Sequence, residues 1–259
     1  MCLITLSWQP ASKTPLSIAA NRDEFYARPT AALHHWPDFS ILAGKDLQAG
    51  GTWLGVAQPP GMKQVRLAAL TNYRDVDNHR PDAPSRGHIT TAFLQGSMSA
   101  AQYLDMLSTT AGLYNPFNLI LFDGQELLGF ESRRLRTLAL PVGISSVSNA
   151  DFNAPWPKLV RLQHDFERTL ARQHGDEAGL LEKELFALLA NEAVAPDTDL
   201  PQTGIALAKE RALSAAFIRT PDYGTRACSV IQVGSHATEF IERSFDAHGL
   251  NGEISARCS

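Results

Sequence analysis

The chain has 259 residues, enough for one large domain or two small ones with an ample core. Hydrophobic residues make up 44% and charged residues 19%, an ordinary globular balance. Lys+Arg 23 against Asp+Glu 27 gives a net charge of −4, and no basic run or stripe stands out, which argues against nucleic acid as the main partner.

Three widely spaced cysteines, Cys2, Cys228 and Cys258, fit neither a disulfide framework nor a zinc pattern. A reducing, cytoplasmic setting is expected. The apolar start lacks a basic flank and is interrupted by Trp8, Gln9 and Pro10, so it is a poor secretory signal. No apolar run is long enough to cross a membrane. The expected partner is a small-molecule substrate or ligand.

Residues 2–8 read as a strand, with Cys2, Ile4, Leu6 and Trp8 on one face by period two. Residues 9–15 hold two prolines and read as a turn, and residues 16–20 as a second strand. Such a hairpin returns Asn21-Arg22-Asp23-Glu24 to the neighbourhood of Cys2. If Met1 is removed, Cys2 carries both a thiol and a free α-amine, a nucleophile and a base in one residue. The competing reading is a small apolar strand residue. Arg22 can lower the thiol's pKa and Asp23 can orient the amine; the same charges also suit a solvated turn.

Residues 29–51 read as an irregular excursion, and adjacent His34 and His35 diverge too much to share a metal. Gly50, Gly51 and Gly55 around Trp53 suit close approach of a backbone or ligand. Strands are expected over 52–57 and 66–73. Asn72 ends the second of these, where its amide can serve a developing oxyanion or simply make a turn. A loop over 75–87 leads to a short helix over 85–94. Ser99 and Gln102 form a capping-box pattern before a helix reaching Leu107, with Tyr103, Met106 and Leu107 on its core side.

Residues 117–131 read as a hairpin, followed by strands over 136–140 and 142–148; Asn149 ends the last and carries the same two readings as Asn72. Pro157 opens the clearest helix, to Gln173, with a stripe of Leu159, Leu162, Phe166 and Leu170. A second helix is expected over 177–191, a Pro/Asp loop over 195–204 with a lid as its functional reading, and a strand over 213–219. Residues 228–234 and 238–245 close with a hairpin. Arg226, just before it, reads as a substrate-facing or a surface arginine. The tail from Asp246 is expected to be featureless, with Cys258 an exposed thiol. Hairpins at both ends with grouped helices give an α+β class and one domain over 1–259.

The segments MCLITL, AANRDEFYARP, GGTWLG, LAALTNY, YNPFNLI, SNA followed by PWPKL, and YGTR resemble the NRDE family, also called the transport and Golgi organisation protein 2 family. They run in the family's order across nearly the whole chain. The resemblance implies an N-terminal-nucleophile hydrolase-like fold: a four-layer αββα sandwich of two antiparallel sheets between helix layers. The wider superfamily, which includes penicillin V acylase and bile salt hydrolase, uses an N-terminal Cys, an Arg–Asp pair, two Asn and a late Arg. Cys2, Arg22, Asp23, Asn72, Asn149 and Arg226 match those places, with Asn149 as the oxyanion Asn. The Arg22–Asp23 spacing departs from that of the acylases. The implied reaction is cleavage or transfer of an acyl group from a small amide or thioester by an amidohydrolase or acyltransferase. The alternative is a non-catalytic haem or acyl-lipid binding and trafficking protein. No cofactor is expected, haem entering only as a bound ligand.

Overall fold

A computed structural model of the chain describes residues 2–37, 40–62, 64–172 and 178–258. The apolar alternation of β1 (Cys2–Trp8) and β2 (Leu16–Phe25) builds an antiparallel hairpin in which Cys2 lies opposite Arg22. β10 (Gly143–Val147) joins the outer side of β1, and β11 (Tyr223–Val233) pairs with β2. β12 (Thr238–Asp246) and β13 (Gly249–Cys258) complete a six-stranded sheet of order β10-β1-β2-β11-β12-β13.

The second sheet has seven strands in chain order. They are β3 (Thr30–His35), β4 (Ile41–Asp46), β5 (Leu54–Ala57), β6 (Arg66–Asn72), β7 (Phe117–Phe122), β8 (Leu127–Glu131) and β9 (Arg136–Ala139). All neighbours in both sheets run antiparallel.

Among the described residues five α-helices cover these sheets. α1 (Gly87–Gln95) and α2 (Ala100–Ser108) share an apolar cluster with β4 to β8 through Phe93, Leu104, Phe117 and Phe130. α3 (Pro157–Arg172) and α4 (Ala178–Leu189) bury Leu162, Phe166 and Leu185 against Leu3, Ala19 and Val230 of the first sheet. A third cluster, with Ile4, Ile18, Leu67 and Ile231, fills the space between the sheets. α5 (Leu207–Leu213) is short. Alternate residues on β1 and β2 therefore face either the partner sheet or the α3/α4 layer. The chain is α+β with two large antiparallel sheets.

Several expectations need correction. Residues 29–51 are not irregular: β3 and β4 pair there, and a register break between Ala31 and His34 obscures their alternation. Residues 213–219 are not a strand. Leu213 ends α5, and the buried run Ala216, Phe217 and Ile218 crosses the core irregularly, with Phe217 N donating to Asn191 O and Ile218 N to Thr225 Oγ1. A short apolar run has no periodicity to separate these cases. The tail forms β13, and Cys258 is buried in the inter-sheet cluster rather than exposed. Met106 is exposed, while Tyr103 and Leu107 are buried. The second long helix runs Ala178–Leu189; Glu177 and Gln173 lie outside the described residues. The Ser99 capping box forms with both of its hydrogen bonds.

Candidate active-site cleft

The ends of β1, β2, β11 and β12 face β3, β4 and residues 79–87 across a cleft of about 480 Å3. Gly51 lets that last segment approach: a Cβ there would lie 2.4 Å from the Gly87 carbonyl carbon, so the two backbones touch beside the cleft. Cys2, Arg22, Asp23, Asn72 and Arg226 all line it. Asn149 does not.

Cys2 is 6% exposed. Burial, the largest influence, pushes its thiol up to about 11, so the resting group is a neutral thiol. Arg22 sits opposite it on β2, and the nearest carboxylate oxygen, on Glu24, is 3.9 Å from the Arg22 guanidinium. Period-two geometry turns Asp23 to the other face of β2, where Asn21 donates to Leu189 O and Ala216 O of the α4 side. Arg22 and Asp23 thus flank the strand end from opposite sides. Asp23 is 1% exposed; it accepts from Thr225 Oγ1 at 2.7 Å, and its backbone oxygen accepts from Tyr223 OH at 3.0 Å. Burial raises its pKa, and Lys158 is the foremost influence lowering it.

The two asparagines form one unit. Asn149 Nδ2 donates to Asn72 O at 2.8 Å, tying the end of β10 to the end of β6. Ser148 Oγ lies 3.0 Å from Cys2 O and 3.2 Å from Asn149 Oδ1. Arg226, carried outward by a bulge in β11 between Thr225 and Ala227, spends its donors on the protein. Its Nε donates to Phe245 O, Nη1 to the carbonyls of Phe25, Tyr26 and Arg28, and Nη2 to Thr30 Oγ1. It clamps the turn after β2 more than it faces a ligand. Arg28 is paired with Asp46 at 2.7 Å. Of the cleft's cations, Arg22 lies directly opposite the thiol, and Arg86, whose Nη1 donates to Pro116 O, is also within reach of the Cys2 charge.

Sequence reasoning missed three groups around the site. Lys158 is buried behind the strand ends; a lysine on an apolar helix stripe was the available signal. Arg74 pairs with Glu210 at 2.7 Å, both nearly inaccessible, and lies over the Trp156 ring. Glu242 lines the cleft, accepts from Leu33 N and Ser229 Oγ, and is pushed up to about 7 by burial. His34 and His35 take no part: His34 Nδ1 bonds Ala32 O, and among the described residues no three His, Cys, Asp or Glu gather as for a metal.

The family model described as Transport and Golgi organisation 2 matches residues 1–247. The chain belongs to this family. It is 36% identical to the Transport and Golgi organization protein 2 homolog of Bos taurus, over 94% of this chain and 93% of that one. The Homo sapiens homolog is 34% identical over the same shares, and the Drosophila melanogaster Transport and Golgi organization protein 2 is 28% identical over 90% of this chain and 88% of its own. Among the described residues no helix is long and apolar enough to cross a membrane.

Proposed function

We propose that this family member has an N-terminal-nucleophile hydrolase-like αββα fold, a single domain over 1–259, and uses Cys2 to cleave or transfer the acyl group of a small amide or thioester. The observation that carries the reading is Cys2 lining a cleft directly opposite Arg22, with the Asp23 carboxylate buried behind the same strand end. Removal of Met1 exposes the α-amine of Cys2. That amine takes the thiol proton, as a thiol held protonated by burial requires, and the thiolate attacks the carbonyl carbon. Collapse breaks the bond to the amine or thiol leaving group, which receives the proton. Water then attacks the acyl-Cys2 thioester, the acyl carbon–sulfur bond breaks to release the carboxylic acid, and a proton of that water returns through the α-amine to the thiol.

In this reading Asn72, which lines the cleft, takes the oxyanion role that the resemblance gives to Asn149, and Asn149, whose Nδ2 donates to Asn72 O, fixes the strand end that carries it. Arg22 orients the substrate carbonyl or an anionic group on it, and Arg226 shapes the wall. Three unpaired cysteines accord with a cytoplasmic setting. The test is turnover of short acyl thioesters and amides: Cys2→Ala abolishes it, and Asn72→Ala lowers kcat by roughly 10²–10³. Undiminished turnover in Cys2→Ala refutes the reading.

The high thiol pKa favours a second reading, a carrier that holds an acyl lipid or haem in the same cleft without turnover. The relatives' names speak of transport. A haemin titration with a saturable Soret shift that survives Cys2→Ala supports the carrier; no shift removes haem from it.

A further inference from the structure

Lys158 is the second residue of α3 and lies on the helix's buried stripe with Leu162, Phe166 and Thr169. It is 2% exposed, and its Nζ has no hydrogen-bond partner among the described residues. An isolated buried ammonium is costly, so a lysine here calls for a reason beyond packing. α3 packs on β1 and β10, which puts the ammonium behind the strand end that carries Cys2.

The charges around it come from several elements. Asp23 on β2 is its foremost attractive neighbour; Cys2 on β1 and Glu210 on α5 add to it, and Arg74 after β6 opposes it. Arg161 and Asp165 share a small surface depression with it on its own helix, and Tyr223 on β11 bonds the Asp23 backbone. Leu188 of α4 lines the same depression, and β10 carries no charged residue.

We propose that Lys158 is a positioning residue for the Cys2 nucleophile: its ammonium keeps the Asp23 carboxylate ionised and lowers the proton affinity of the α-amine, so that the base is free near neutral pH. This rests on the reading of Cys2 as an N-terminal nucleophile. A fixed positive charge lowers the proton affinity of every group near it. Removing it therefore moves the acid limb of the coupled amine–carboxylate pair to higher pH, whichever member the limb belongs to.

The test is the pH profile of Cys2 alkylation by iodoacetamide, read by peptide mass to separate Cys2 from Cys228 and Cys258. Lys158→Met moves the acid limb upward by about one pH unit, and Lys158→Arg, which keeps the charge, stays near wild type. A limb that ignores Lys158→Met, or moves equally in Lys158→Arg, overturns the inference while leaving the nucleophile reading intact. Retained Met1 or an unreactive wild-type Cys2 takes down both. Should Lys158→Met fail to fold, the 13Cε resonance of Lys158, assigned by its loss in Lys158→Arg, decides. It titrates below the usual lysine range and falls further in Asp23→Asn; a titration indifferent to Asp23→Asn overturns the inference.

Discussion

Two cations, Arg66 and Lys158, are buried in the two helix-covered layers, and the protein bonds the first far more fully than the second. Arg66 on β6, 1% exposed, donates from Nε to Phe93 O at 3.1 Å and from Nη2 to Met98 O at 2.7 Å. Its guanidinium also lies 3.9 Å from the centre of the Phe93 ring. Carbonyls around the C-terminus of α1 are a natural seat for a cation. Lys158, behind the cleft, has neighbouring charges but no hydrogen bond among the described residues. The contrast teaches how to sort buried charge. Arg66, bonded through two of its three nitrogens with only Nη1 lacking a partner among the described residues, reads as architecture, whereas a cation with no hydrogen bond beside a reactive group is tolerated at a cost to stability, as functional groups often are.

Substitutions sharpen or break that contrast. The largest expected effect is at Arg74, whose buried partner Glu210 would be stranded: Arg74→Met costs about 3–5 kcal/mol in urea unfolding. Lys158→Met has the opposite sign. Burial holds Lys158 down to about 8, so below that pH both states are protonated and the folded state bears the full penalty. As pH rises from about 8 toward the ordinary lysine value of about 10.4, the folded state sheds its proton first and wild-type stability rises. Lys158→Met is therefore more stable than wild type by on the order of 3 kcal/mol at pH 7, and the advantage fades across that window. A pH-independent loss of stability in Lys158→Met breaks the contrast. Arg66→Met costs about 2 kcal/mol with no such pH dependence, from stranded carbonyls and lost ring contact. The smallest effect is at the α2 cap, where Ser99→Ala costs about 1 kcal/mol in the same unfolding measurement.

Much of this fold was legible because local rules agree with it. Period-two alternation gave β1 and β2 and hence the return of Arg22 to Cys2, and the Leu159–Leu162–Phe166 stripe gave α3. The capping box at Ser99 formed as read. Illegible parts were those where tertiary contacts decide. A register break hid β3 and β4, and a buried run at 216–218 had no period; β13 is mostly exposed, yet Leu250, Ile254, Ala256 and Cys258 alternate along it and were a legible strand signal. Strand parity could have separated Arg22 from Asp23 onto opposite faces. No sequence signal showed that Arg226 would spend its guanidinium on the carbonyls of residues 25–28, since those bonds depend on the bulge beside it. Lys158 stood in plain view as a charge on an apolar stripe; only its placement behind Asp23 gave it meaning.

The most direct measurement of the central claim is the intact mass of the chain, purified from cells and quenched during incubation with a short acyl thioester. The account predicts a chain lacking Met1 that carries one transient acyl group, mapped to Cys2 and absent in Cys2→Ala. A chain that retains Met1, or one that consumes the thioester with Cys2 never acylated, contradicts it.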